Sequence, residues 1–291
     1  LTFNSAVSNA GNMVAINNSG LAFGQTVNNG LNGLIGAANG GTVIFNAAVT
    51  NAAGGLLGMR NQGTLIFNAG LTNNGTLGFD TALNPSTAII TGTLLLGSSG
   101  TISMTHTNDT LVMRGDFVNG SMDTNGFNMR YGTMVFGGMS ATVTNTFEVA
   151  STNKGAVFSG FVNNMALGTL NITNHIEFVN NINNGGGLGA NEALYVDVLH
   201  LFNGATLKLS QLTIYVGLEF IYEDGAGTKV LTGGQGYTIN QDNKDSLGLA
   251  NVFLDSGGQI VFVPEPSTSA LVGLGPAALA IWQRRRNSLR R

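Results

Sequence analysis

The chain has 291 residues, of which only 9% are charged against roughly 25% in typical soluble domains, with 43 glycines, 36 asparagines, 4 prolines and no cysteine. A 43% hydrophobic content excludes a disordered chain, which needs low hydrophobicity and high net charge, and the missing cysteines exclude disulfides and Cys-ligated metals. Five of the 12 basic residues crowd the last eight positions, leaving 7 basic and 14 acidic residues in 1–263, so nucleic-acid binding is not expected of the body.

The chain opens at Leu1 inside what reads as a repeat, so any export leader is expected upstream. Four segments align: LTFNSAVSN from Leu1, LAFGQTVNN from Leu21, VIFNAAVTN from Val43 and LIFNAGLTN from Leu65. Their third residues are Phe3, Phe23, Phe45 and Phe67, and continuing the register gives Ile90, Met113, Phe136, Phe158, Phe178 and Phe202, a mean interval of about 22 residues. The leucine-rich-repeat pattern is absent. Instead, short alternating apolar runs such as Thr42-Val-Ile-Phe45 are cut by Gly, Asn or Ser, which reads as strand and corner. Asn-Gly pairs, for example at Asn32, Asn39 and Asn74, accept the positive φ of tight corners.

No capped helical stripe joins these strands, so they are expected to stack as coils. The expected fold is all-β: a right-handed parallel β-helix over 1–204 with about 22 residues per coil. Ten coils spaced about 4.8 Å apart make a rod of about 45 Å. Paired asparagines such as Asn28-Asn29 and Asn73-Asn74 are expected at its corners. A β-sandwich with hairpins at the Asn-Gly sites would satisfy the same strands. From Ala205 the texture becomes nearly continuous strand, and 205–263 reads as a C-terminal cap.

The last segment, 264–291, has three parts in order: Pro264-Glu265-Pro266, an apolar run Ala270–Trp282 of 13 residues interrupted by Pro276, and Arg284-Arg285-Arg286. The run is about 20 Å long as a helix against a bilayer core of about 30 Å, and the arginines suit the cytoplasmic side of a transmembrane helix. This order resembles the PEP-CTERM sorting signal. The resemblance implies recognition and removal of the tail by an exosortase in the inner membrane of a Gram-negative-type bacterium. It further implies delivery of the body to the cell surface, biofilm or extracellular matrix, where exopolysaccharide is an expected partner. Trp282 and the three arginines would flank the membrane anchor. The repeat body is loosely similar to autotransporter passengers.

Chemistry-bearing constellations are thin. His106, His175 and His200 share no metal-ligand spacing. Gly185–Ala190 lacks the following helix of a dinucleotide site, and Asp242–Asp245 has Lys244 where a calcium loop needs an oxygen. Arg114, Asp116, Asp123 and Arg130 fall within one coil and could form the face of a polysaccharide-cleaving β-helix enzyme. Tyr195, Tyr215, Tyr222 and Tyr237 could serve a carbohydrate-binding module. The leading expectation is a structural, adhesin-like surface protein, not an enzyme, with no cofactor or metal.

Overall fold

Strand residues alternate sides with a period of two, so a Thr-x-Ile-Phe segment must send Thr and Ile one way and its other two residues the other. In the computed structural model, which describes residues 1–80, 84–124, 126–138, 142–184, 192–232 and 237–264, that alternation builds a parallel β-solenoid. It is right-handed, with about 9 turns of ~23 residues. Each coil contributes a strand to each of three faces. In the third coil these are Thr42–Phe45, Val49–Asn51 and Leu56–Arg60, and in the fourth Thr64–Phe67, Leu71–Asn73 and Thr76–Phe79. Strands pair in parallel with the equivalent strand one coil away, Phe45 on Phe67 and Asn51 on Asn73.

Inward positions form one continuous apolar core. On the first face Phe3, Phe23, Phe45 and Phe67 stack with ring centroids 5.2, 5.1 and 4.7 Å apart and planes within 13°. The last three are fully buried, and truncating such a Phe to Ala costs about 3–5 kcal/mol.

The corners are held by asparagine, in two different ways. Between the second and third faces Asn9, Asn29, Asn51 and Asn73 are buried. The Nδ2 of each of the first three donates to Oδ1 of the next at 2.8, 2.8 and 2.7 Å. Asn51 also donates to the carbonyls of Gly55 and Thr76, both at 3.2 Å. These amides satisfy turn backbone that is shut off from water. Leu96 takes the next place in this column before Asn119 resumes it. Between the third and first faces an exposed series, Asn17, Asn39, Asn61 and Asn84, is linked by bonds of 3.3, 2.7 and 2.7 Å. There Asn17, Asn39 and Asn61 have φ of 52, 51 and 48°, the left-handed region that asparagine tolerates.

The first-face column departs from the sequence expectation after Phe136. Its next members are Ile172, Leu201 and Tyr222, because 36 residues separate Phe136 from Ile172. The extra chain includes one turn of 3-10 helix, Phe158–Phe161, which carries Phe158 out of the column. Phe178 lies on the second face against Phe147, with centroids 5.2 Å apart, and Phe202 follows its strand and stacks on His200 at 3.9 Å. For Phe178 the spacing near 22 misleads because an inward Phe on any face has the same sequence signature.

Beyond Ala205 the parallel stacking goes on. Thr206–Ser210 pairs with His175–Val179 and with Val252–Asp255, and Thr213–Asp224 pairs with Gln259–Phe262. An antiparallel hairpin, Thr213–Asp224 with Gly227–Thr232, lies against this terminal part. No helix among the described residues is long and apolar enough to cross a membrane, and Ala270–Trp282 lies outside them.

Candidate functional site

Three features of the solenoid could meet a partner or hold chemistry. The outward side of the first face is the most regular. Thr42, Thr64, Thr87, Thr110, Thr133 and Thr169 stack in register as one column. Two residues along each strand, Ile44, Ile66, Ile89, Val112 and Val135 form a second column, which ends at Asn171. All are half-buried by their neighbours. Neighbouring coils stand about 4.8 Å apart and alternate residues about 6.7 Å, so the columns form a grid. Among the described residues only Thr110 of these threonines bonds its hydroxyl within the chain, to Asn108 O at 3.2 Å.

The third face carries a shallow groove of about 690 Å³ across the first five coils. Its floor is the strip Gly36, Gly58 and Gly78, in register from coil to coil. A Cβ on Gly36 would stand 2.8 Å from Gly58 O, so Gly36 cannot carry a side chain, whereas a Cβ on Gly58 or Gly78 would meet only ordinary van der Waals contacts. Val14, Ile16, Leu34 and Leu56 form apolar walls, and the exposed pair Arg60–Asp80, 3.9 Å apart, closes one edge.

Buried polar groups gather around the extra chain between Phe136 and Leu167. Arg130 forms a two-pronged pair with Asp197, Nε to Oδ2 at 3.1 Å and Nη2 to Oδ1 at 3.2 Å. It also donates to Phe161 O at 3.2 Å, and its guanidinium lies 5.1 Å from the ring centres of Phe158 and Phe161. Burial pushes its pKa down to about 10, which leaves it charged at neutral pH. Tyr195 donates to Gly155 O at 3.0 Å and accepts from Lys154 N–H at 2.8 Å, and its phenol is pushed up to about 12 by burial. Tyr215 donates to Asn153 Oδ1 at 2.9 Å and stacks on Tyr195 at 4.7 Å. Nearby Glu148 accepts the Ile182 N–H at 2.7 Å, yet burial holds its carboxyl above the usual range, with the charge of Glu192 adding to the effect. These contacts fasten the extra chain onto the rod.

The four charged residues that the sequence groups in one coil are not brought together. Arg114 and Asp116 stand at the corner between the first and second faces, where Asp116 accepts the Thr146 N–H at 2.8 Å and Asn145 Nδ2 at 3.3 Å. Asp123 lies at the opposite corner, and Arg130 is engaged with Asp197. Of the four tyrosines, Tyr195, Tyr215 and Tyr222 are core residues and only Tyr237 is exposed, so they make no binding row. His175 Nδ1 is 2.7 Å from Thr206 Oγ1, and His200 Nε2 is 2.8 Å from Glu223 Oε1. No group of His, Cys, Asp and Glu suited to a metal occurs among the described residues. Lys244 pairs with Asp245 at 2.6 Å inside the turn that follows Asn240. Gly185–Ala190 lies outside the described residues.

Of Pro264-Glu265-Pro266, Pro264 is described and exposed, directly after Val263. Val263 is buried with Phe161, Tyr195 and Tyr215 in a small satellite core, and its N–H donates to Val216 O at 2.9 Å. Glu265, Pro266, Trp282, Arg284, Arg285 and Arg286 lie outside the described residues. Sequence reasoning missed Asp197 as the partner of Arg130, because 67 residues separate them. It also read the Thr-x-Ile-Phe segments for their inward residue and passed over the outward grid. No protein-family model matches the chain, and neither does any curated protein or solved structure.

Proposed function

We propose that the chain is an exported bacterial cell-surface or extracellular-matrix structural protein, adhesin-like in use, whose C-terminal tail is read by an exosortase. The observation that carries this reading is the junction at Val263–Pro264. Val263 is buried in the satellite core, and the three-part segment resembling a PEP-CTERM signal begins at the next residue, Pro264, which is exposed. A tail starting there can be engaged by a membrane protease without unfolding a coil. The apolar run and arginine cluster would hold the chain in the inner membrane until cleavage releases the body. The body suits a structural role: a stack in which each coil supports its neighbours, weakly charged and acidic, with exposed corner asparagines that can meet exopolysaccharide.

The test is expression of the full gene in a host carrying an exosortase, with the C-terminus followed by mass spectrometry in membrane and secreted fractions. The expected result is loss of the segment after Pro266 with the body outside the cell. An intact tail on a chain retained in the cytoplasm would overturn the reading.

A further inference from the structure

We propose that the outward grid of the first face is an ice-binding surface. A ligand recognised by a repeating array must itself repeat at the same interval, and the array here repeats five times without a register shift, from Thr42 and Ile44 to Thr133 and Val135. Hydrogen-bonded oxygens stand about 2.75 Å apart, and in a tetrahedral network that places second neighbours at about 4.5 Å. The coil spacing of about 4.8 Å falls within a few tenths of an ångström of this, and the mismatch accumulates to about 1 Å over five coils. From one coil to the next the offset is only about 0.3 Å, which a slightly bent hydrogen bond tolerates.

The side chains suit an ordered water lattice. Thr, Ile and Val are stiff at χ1, so the grid is set before binding and little rotamer freedom is lost. Thr42, Thr64, Thr87 and Thr133 keep their hydroxyls for outside partners. The methyls between them cannot hydrogen-bond, so water above them bonds to other water and cages the rows. The grid contains no charged side chain from Thr42 to Val135.

Two rival occupants fit less well. Five coils of four-residue strands present about 300 Å². Two copies face to face would therefore bury about 600 Å², below the roughly 1,000 Å² expected of a specific dimer. A sugar polymer docks its ring faces on aromatics, and the Phe residues of these strands point inward. The inference does not depend on the sorting of the tail.

The test is uptake of the full chain into slowly growing ice, together with the habit of crystals grown in its presence. The wild-type chain is expected to concentrate in the ice and to facet the crystals. Thr64→Tyr and Thr87→Tyr, which raise a ring above the grid, are expected to lose both effects while their circular dichroism is unchanged. Thr72→Tyr, on the outward side of the second face, keeps them. Exclusion of the wild-type chain from ice would overturn the proposal. So would uptake that Thr64→Tyr leaves intact. Retention on crystalline cellulose without ice uptake would overturn it and assign the grid to a polysaccharide. A dimer broken by Thr64→Tyr, again without ice uptake, would overturn it in favour of a second copy.

Discussion

Asn51→Ala removes one of the middle members of the buried asparagine column. Asn73 Oδ1 then loses the donor that reaches it at 2.7 Å, in a site closed to water, and an orphaned buried acceptor costs about 1–3 kcal/mol. The bonds from Asn51 to Gly55 O and Thr76 O also go, at about 1 kcal/mol net for a typical bond. Because Gly55 O still accepts the Thr76 N–H, the expected total is about 2–4 kcal/mol. Asn46→Ala is the matched control. Asn68 Nδ2 donates to Asn46 Oδ1 at 2.8 Å as an exposed pair at the corner between the first and second faces, where water can replace it, and the expected change is within about 0.5 kcal/mol. Urea unfolding followed by circular dichroism gives both values. Hydrogen exchange of the third and fourth coils localises the loss, since a repeat stack need not unfold as one unit. Equal shifts for the two variants, or an Asn51→Ala protein as stable as wild type, would refute the claim that burial sets the worth of this bond.

Glu148 gives a pH-dependent outcome. Its folded pKa is raised, so the stability it contributes is full below the ordinary carboxylate range and is lost as pH rises through the folded value. Glu148→Gln keeps an acceptor for the Ile182 N–H and cannot ionise. Thermal melts should show it more stable than wild type near neutrality and equal in acid, and parallel curves at every pH would count against the burial argument. Gly63→Ala tests the closeness of the coils. A Cβ there would stand 2.1 Å from Ala37 O, so a loss of about 1–3 kcal/mol or more is expected in urea unfolding, whereas Gly11→Ala, facing open space, should leave the midpoint unchanged.

Much of the fold is legible because the solenoid is written in a local code. Thr42–Phe45 and Thr64–Phe67 state both the strand and its buried residue, and a spacing of 22 residues states the stacking. The code fails where the chain leaves the stack between Phe136 and Ile172, since a long excursion anchored by Arg130 on Asp197 has no periodic signature. Asparagine doublets mark the corners, but residue type alone does not separate buried Asn29 from exposed Asn28. Only the face on which each lies decides that. The candidate surfaces were legible in part. The threonines and isoleucines of the grid stand in plain sequence, whereas their alignment depends on the coils sharing one register. The segment proposed as a sorting signal is the reverse case: its order is sequence information, and the structure contributes the exposed residue Pro264.

The direction of the backbone hydrogen bonds has a mechanical consequence. Between coils they run along the rod, so tension applied along it is carried by every coil boundary in series, and the weakest boundary yields first. A coil that lets go frees ~23 residues, about 75 Å of slack, from an element only about 5 Å thick. Such a body would yield under shear in measured steps, shedding length while the coils beyond the break stay folded. The first to resist at the tail end is the coil pinned by Val263 beneath Tyr215 and Phe161.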